Sequence, residues 1–430
     1  MHSILKMTAA TMVAAMAPAA ALAQACDPTE IFAPQVLYGV DSFPLCVAIG
    51  DLDGDGHADL AVANGATASV SVLLNNGDGT FAEDVLYGAG EQPRSVAIGD
   101  LDGDGDGDLV VANSFDDDIS VLLNRGDATF IPVARYVTSS RPFSVAIGDL
   151  DGDGDADLAV AHEADVVVSV FLNDGRGTFA GGSAPRVGDR PISVAIGDLD
   201  GDGDADLAVA NRLSDDVSVL LNDGDGSFAP EIRYGVGTTP ASVAIGDLDG
   251  DGDLDLAVAN DGSDDVSVLM NDGNATFADD VAYGVGDYPQ SVAIGDLDGD
   301  GDVDVVTANR FDETVSVLLN DGDGAFAPGA SYDAGRVPWF VAIGDLDGDG
   351  APDLATANAQ GVNVSVLLNR CGPSACPADL DGDGELTIFD FLTFQNLFDL
   401  MDPRADFDGD GDFTTFDFLA FQNAFDAGCP

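Results

Sequence analysis

The chain has 430 residues, with 14 basic side chains against 78 acidic ones and a formal net charge of −64. That length suits one large core or several domains. A field of that sign repels nucleic acid and anionic membrane surfaces and favours cations, which excludes the first two as expected partners.

Residues 1–25 carry Lys6, the apolar run Met7–Ala23 and Ala-x-Ala choices at Ala21-Leu22-Ala23 and Ala23-Gln24-Ala25. This is the pattern of a secretory signal peptide, so the mature chain is expected to be exported, extracellular or at the cell surface. A retained anchor is the weaker reading because the run is rich in alanine and followed by a cleavage site, and so is a lipoprotein site at Cys26, because Gln24 stands where a small residue is needed. No later segment is long and apolar enough to predict a membrane-spanning helix. Five cysteines in an exported chain suggest disulfides with one thiol left over.

The stretch Gly50-Asp51-Leu52-Asp53-Gly54-Asp55-Gly56-His57-Ala58-Asp59-Leu60 then opens a series of seven copies spaced 49 residues apart. Such regularity predicts a repeat architecture. Acids occupy positions 1, 3, 5 and 9 of each loop, and a glycine at position 6 permits the sharp reversal of a calcium loop. Three acids within five residues repel one another unless a divalent cation lies between them; a solvated acidic turn explains the charge but not the fixed spacing.

Each unit predicts four strands. In the block from Asp198 to Tyr234, Ser193–Gly197 is a buried strand before the loop, and Asp206–Asn211 and Asp216–Asn222 follow it. Asn222-Asp223-Gly224-Asp225-Gly226 is hairpin chemistry, and Phe228–Tyr234 makes a fourth, more polar strand. Four strands per unit make a sheet blade, and seven blades make an all-β, seven-bladed β-propeller. The segment Phe32–Tyr38 precedes the first loop, whereas the seventh copy stops after its third strand at Asn369-Arg370, so the N-terminus is expected to close the ring. In a closed ring Cys26 overlays Asn369, which predicts a Cys26–Cys371 disulfide, with Cys376–Cys429 bracketing the C-terminal domain and Cys46 free as a buried small residue. Cys371–Cys376 and Cys26–Cys376 are the competing pairings.

The sequence Gly-Asp-Leu-Asp-Gly-Asp-Gly followed by Asp-Leu-Ala-Val-Ala-Asn resembles the FG-GAP or VCBS repeat of integrin-α-like propellers, over 32–370 of a domain expected to span 26–370. The resemblance implies one Ca2+ per blade in the loop between the first and second strands, with the position-7 carbonyl completing the shell. Its ligands map onto Asp51, Asp53, Asp55 and Asp59; Asp100, Asp102, Asp104 and Asp108; Asp149, Asp151, Asp153 and Asp157; and Asp198, Asp200, Asp202 and Asp206. They continue as Asp247, Asp249, Asp251 and Asp255; Asp296, Asp298, Asp300 and Asp304; and Asp345, Asp347, Asp349 and Asp353.

Residues 371–378 read as a linker, and 379–430 change pattern. Asp379, Asp381, Asp383 and Asp390, then Asp406, Asp408, Asp410 and Asp417, mark two loops, each followed by apolar residues at helical spacing such as Phe391, Phe394, Phe398 and Phe421. The aromatic stripes suit a core shared by two helices. Two such units, with Cys376 and the terminal Gly428-Cys429-Pro430, resemble a GC-type dockerin, a small α-helical domain holding two further Ca2+ ions and docking a cohesin-like or surface-anchoring protein. Ile388-Phe389 and Thr415-Phe416 depart from the small hydroxyl residues of cellulosomal dockerins at the partner-reading positions.

Catalytic chemistry is not expected. His57 lies inside a loop, His162 replaces the asparagine that ends other second strands, and acid pairs such as Asp117-Asp118, Asp215-Asp216 and Asp264-Asp265 recur as turns. On the face opposite the acidic loops the copies vary and carry Arg94, Arg141, Arg190, Arg212, Arg310 and Arg336, with Phe115, Phe143, Tyr288, Phe311, Trp339 and Phe340. Arginine among aromatics suits acidic sugars and protein hot spots. The expected function is a non-enzymatic adhesion or ligand-binding propeller for a protein or polysaccharide, tethered through its C-terminal domain. A propeller glycosidase or lyase and a structural surface-layer protein are the alternatives.

Overall fold

A computed structural model describes residues 31–371 and, in the C-terminal segment, Phe391, Phe394, Phe398 and Phe421. The chain divides into two compact units, of which one is Asp27–Ser374. Its described part is a set of seven four-stranded antiparallel sheets. In the first blade the strands are Pro44–Gly50, Ser69–Leu73 on the far side of Asp59–Asn64, and Val85–Gly88 outermost.

Second strands such as Asp59–Asn64 are buried along their whole length, because both faces of a blade are covered by neighbouring blades. Inner strands must approach closely around the axis. A Cβ on Gly50 would stand 3.2 Å from Ile98, one on Gly99 3.1 Å from Ile147, and so on round to Gly344, where it would stand 2.8 Å from Ile49. The glycine that ends every inner strand is thus the socket for an isoleucine of the next blade.

The ring closes as the phase of the repeats requires. Val36–Gly39 pairs antiparallel with Asn363–Leu367, from Val36↔Val366 to Gly39↔Asn363, and Phe32 bridges Asn369. The Arg370 N–H donates to the Ile31 carbonyl at 2.7 Å, and Ile31 and Phe32 are buried. Cys371, at this corner, is disulfide-bonded, with its partner outside the described residues. Cys46 is free and buried, and burial pushes its thiol up to about 11.

The fourth strand is continuous in the second and sixth blades, as Ile131–Val137 and Phe326–Asp333, but is broken in others. In the fourth blade only Ile232–Gly235 is strand, and Phe228 makes an isolated bridge to Asn222. Pro230 has no N–H for the ladder, and the Glu231 carboxylate turns inward to accept a bond from Ser218 at 2.6 Å. Asp84 and Asp280 do the same from Ser71 and Ser267.

Neighbouring blades are stitched twice. On the acidic-loop face, the Asn222 side chain donates to Leu150 O of the previous blade at 2.8 Å and to Ala205 O of its own at 2.9 Å. Asn75, Asn124, Asn173, Asn271, Asn320 and Asn369 repeat the first bond, Asn75 to Leu346 across the closure. At the rim, tyrosines reach the next blade: the Tyr87 hydroxyl donates to Ala128 O at 2.7 Å, and its ring packs edge-on against Phe130. Asn222→Ala removes both bonds, with the one its Oδ1 accepts from Gly224 N–H, and takes the donor from the buried bond to Leu150 O, so it should cost about 1–3 kcal/mol. Urea unfolding of the variant beside the parent checks this.

In the C-terminal segment the four described phenylalanines are helical, and Phe394 stacks on Phe421 with ring centroids 4.3 Å apart and both rings buried. The eight acids assigned there, Asp379, Asp381, Asp383, Asp390, Asp406, Asp408, Asp410 and Asp417, lie outside the described residues. So do residues 1–25, expected to be a signal peptide, and the cysteines other than Cys46 and Cys371.

Candidate functional site

Seven acidic loops occupy one face of the ring. Their local fold is set by the first aspartate: Asp51 accepts from Gly54 N–H at 2.8 Å through one oxygen and from Gly56 N–H at 2.9 Å through the other. Gly54 and Gly56 have φ of 78° and 90°, so both must be glycine for conformation, although a Cβ on Gly56 would meet nothing within 4 Å.

Each loop gathers carboxylates. Asp51, Asp53 and Asp59 bring one oxygen each to within 4.8 Å of one another, as do Asp100, Asp102 and Asp108; Asp149, Asp151 and Asp157; and Asp198, Asp200 and Asp206. In the fifth blade the trio is Asp247, Asp249 and Asp251, and two further groups occur among the described residues. Hard oxygen donors at this spacing fit a divalent cation of the calcium type. In the first loop the fifth-position acid is outside the trio, and Asp55 Oδ1 accepts from His57 N–H at 2.9 Å.

The ninth-position acid has a second task that its spacing did not reveal. Asp59 is buried and accepts from Leu52 N–H at 3.0 Å and from Asn75 N–H at 2.7 Å, tying loop to third strand. Every blade repeats the pair, as with Asp206, Leu199 and Asn222. Burial pushes Asp59, Asp108, Asp206 and Asp255 up to about 6, and Asp304 and Asp353 up to about 7, against the opposing pull of those N–H donors. A cation in the loop would favour the ionised carboxylates that burial opposes.

His162 has no place in this chemistry. It is fully buried, with Nε2 2.9 Å from Ser169 Oγ, and burial pulls it down to about 4 despite Asp165 and Asp117. A depressed histidine contributes stability that is complete above its ordinary pKa of about 6.5 and lost as pH falls towards 4. Relative to His162→Asn, the parent should therefore lose about 2 kcal/mol between pH 7 and pH 5, read from denaturation at the two pH values.

The opposite face differs from blade to blade. Arg94 stacks over Phe143 at 4.9 Å and Trp339 at 5.9 Å, and Arg310 over Trp339 at 4.6 Å and Phe311 at 5.1 Å. Arg141 and Arg190 both pair with Glu163, and Arg212 pairs with the buried Asp261. Tyr288 packs on Phe311, both exposed. Arg336 stands apart, 3.8 Å from Glu313 and largely exposed, as is Phe115. Phe340 does not belong to this face: paired with Ala357 in the inner strand, it packs into the core between the first and last blades. The residue before each inner-strand proline has positive φ, including the β-branched Thr239 (51°) and Val337 (59°). Backbone strain therefore recurs at a position whose residue changes around the ring.

The FG-GAP-like repeat family matches residues 51–111, 100–160, 149–209, 198–258, 247–307 and 296–356 in six overlapping copies, most of the chain. The chain belongs to the FG-GAP-like repeat family. Its fold is shared with solved structures of low identity. BBS1N, solved in complex with ARL6DN, is 14% identical, with 79% of this chain and 97% of that one covered and a TM-score of 0.56. A virginiamycin B lyase variant from Staphylococcus aureus is 14% identical over 78% and 99%, with a TM-score of 0.53. A lectin from Agrocybe aegerita, described for recognising non-reducing terminal N-acetylglucosamine, is 21% identical over 71% and 90%, with a TM-score of 0.50. These likenesses show the propeller fold alone. No curated protein matches the sequence. No helix among the described residues of this FG-GAP-like propeller is long and apolar enough to cross a membrane.

Proposed function

We propose that this FG-GAP-like propeller is an exported, calcium-stabilised, non-enzymatic binding module that adheres to a protein or polysaccharide and is tethered through its dockerin-like C-terminal domain. One observation carries the reading: the repeats are nearly identical on the acidic-loop face and diverge on the other. A face copied seven times serves the ring, whereas a face whose residues differ at every blade can recognise one particular ligand. Asp51, Asp53, Asp55 and Asp59 and their equivalents hold calcium, which fixes the loop from which the second strand of each blade starts. Two more ions in the loops from Asp379 and Asp406 would fold the tether. Arginines and aromatics around Trp339 supply the recognition surface.

The test is a glycan and matrix-protein binding screen of the full exported chain in calcium, with product analysis on every glycan that binds. Binding without turnover is the expected result. Release of shortened or unsaturated sugars would instead make the chain a polysaccharide-active enzyme, and ligand-free assembly into sheets would make it a surface-layer component.

A further inference from the structure

Around the axis, on the face away from the acidic loops, side chains from blades that are not neighbours meet. Arg94 comes from the second blade, Phe143 from the third, Arg310 from the sixth and Trp339 from the seventh, yet Arg94 and Arg310 both lie over the Trp339 ring. Such contacts require all four to converge on the mouth of the central opening. Arg94, Phe143 and Trp339 stand at one register position, directly after the inner-strand proline, where the other four blades have Leu45, Ile192, Ala241 and Gln290.

The charges there do not balance. Glu163 is shared by Arg141 and Arg190, while Asp261 is taken by Arg212 and also accepts bonds from Thr239 and Gln290. Arg94 and Arg310 form no ion pair among the described residues, Glu163 and Asp261 acting on them only through space, and the Nε atom of each is buried without a hydrogen-bond acceptor. Nearby loop acids are occupied elsewhere: Asp117, Asp215 and Asp264 accept from the backbone N–H of Arg141, Thr239 and Tyr288. Burial lowers the pKa of Arg94, with Glu163 opposing and Arg141, Arg190 and Arg212 adding to the strain, so an anion here relieves an existing cost. Stacking uses the flat face of a guanidinium and leaves its N–H fork free for bidentate binding of an oxyanion.

We infer that this axial mouth binds a single carboxylate borne on a sugar ring, the uronate end of an oligosaccharide, with Arg94 and Arg310 clasping the carboxylate beside Trp339, Phe143 and the exposed Tyr288–Phe311 pair. The net charge of −64 decides between an isolated anion and a polyanion. A dense polyanion meets repulsion over its whole length, whereas one carboxylate inside the mouth lies within a Debye length, about 8 Å in physiological salt, of the unpaired guanidinium groups. The aromatic surround favours a ring with apolar C–H faces over a flexible peptide end.

This inference rests on the reading of the propeller as a binding module. Trp339 is the only tryptophan of the chain, so its emission reports this mouth alone. The full chain in calcium is titrated with an aldobiouronic acid, its methyl ester and a pentapeptide with a free C-terminus, and each titration is repeated by calorimetry. Saturable binding of the acid is expected, at least tenfold weaker for the ester and the peptide. Arg94→Gln and Arg310→Gln should each weaken binding of the acid tenfold or more, and Arg94→Lys, which keeps the charge but not the fork, should fall between, all with the parent's melting temperature. Equal binding of ester and acid, unchanged affinity in the variants, or no binding by either method overturns the inference; equal binding of the peptide overturns the assignment to a sugar. If another glycan binds without turnover and regardless of both arginines, the binding-module reading stands and the axial site falls. Turnover of a bound glycan sinks the module reading instead.

Discussion

Chelation of calcium from the full chain is expected to lower its melting temperature by roughly 15 °C or more, or to abolish the cooperative transition. Extracellular sites of this type bind at about 10⁻⁴ to 10⁻³ M, so at about 10 mM calcium each contributes roughly 1.4–2.7 kcal/mol by mass action. Seven loops acting together reach on the order of 10 kcal/mol or more, comparable with the whole stability of an ordinary domain. Calorimetry in calcium and in excess EDTA measures the difference, and superimposable melting curves would remove calcium from this account. Two variants separate the metal from the scaffold. Asp200 serves the loop, whereas Asp206 also holds Leu199 and Asn222. Asp200→Asn should therefore cost about 1–3 kcal/mol in calcium and little in EDTA, while Asp206→Asn should remain destabilising in both.

Deleting residues 26–40 should produce a chain that no longer melts cooperatively. The last blade would lose the strand Val36–Gly39, and with it the pairing to Asn363–Leu367, the bridge from Phe32 and the covering of Val364 and Val366. A propeller opened at one blade presents two unpaired edges, and an exposed apolar edge invites aggregation. The milder variant Phe32→Ala removes a buried ring that packs edge-on against Tyr332 at 5.3 Å and should cost about 3–5 kcal/mol. Adding a peptide of residues 27–41 to the shortened chain should restore part of the transition. A shortened chain that melts like the parent would show that the other blades hold the ring without the closing strand. Non-reducing peptide mapping of the parent should find Cys371 joined to Cys26, and a Cys371–Cys376 fragment would instead leave strand pairing alone to close it.

Much of this architecture is local and therefore legible in one dimension. Repetition of the loop from Asp51 gave the number of blades, alternation and turn residues gave the strands, and the phase between Phe32 and Asn369 gave the closure. Glycines such as Gly54 and Gly56 announced a loop geometry that depends only on their own backbone. Contacts between units remained hidden because their partners lie a blade or more apart. Asn222 looked like a turn residue until its bond to Leu150 placed it between blades, and Asp206 looked like one ligand among four until its two N–H donors were in place. Phe340 and Arg336 read as members of the variable face, but one turns into the core and the other stands away from the cluster. The sequence by itself determined the repeat period, the number of blades and the carboxylate pattern that could hold a cation, since the loop pattern is local and its spacing can be counted along the chain. Only the tertiary structure decided that Arg94, Arg310 and Trp339 share a single mouth, because closing seven blades around one axis is what brings residues 245 positions apart into contact.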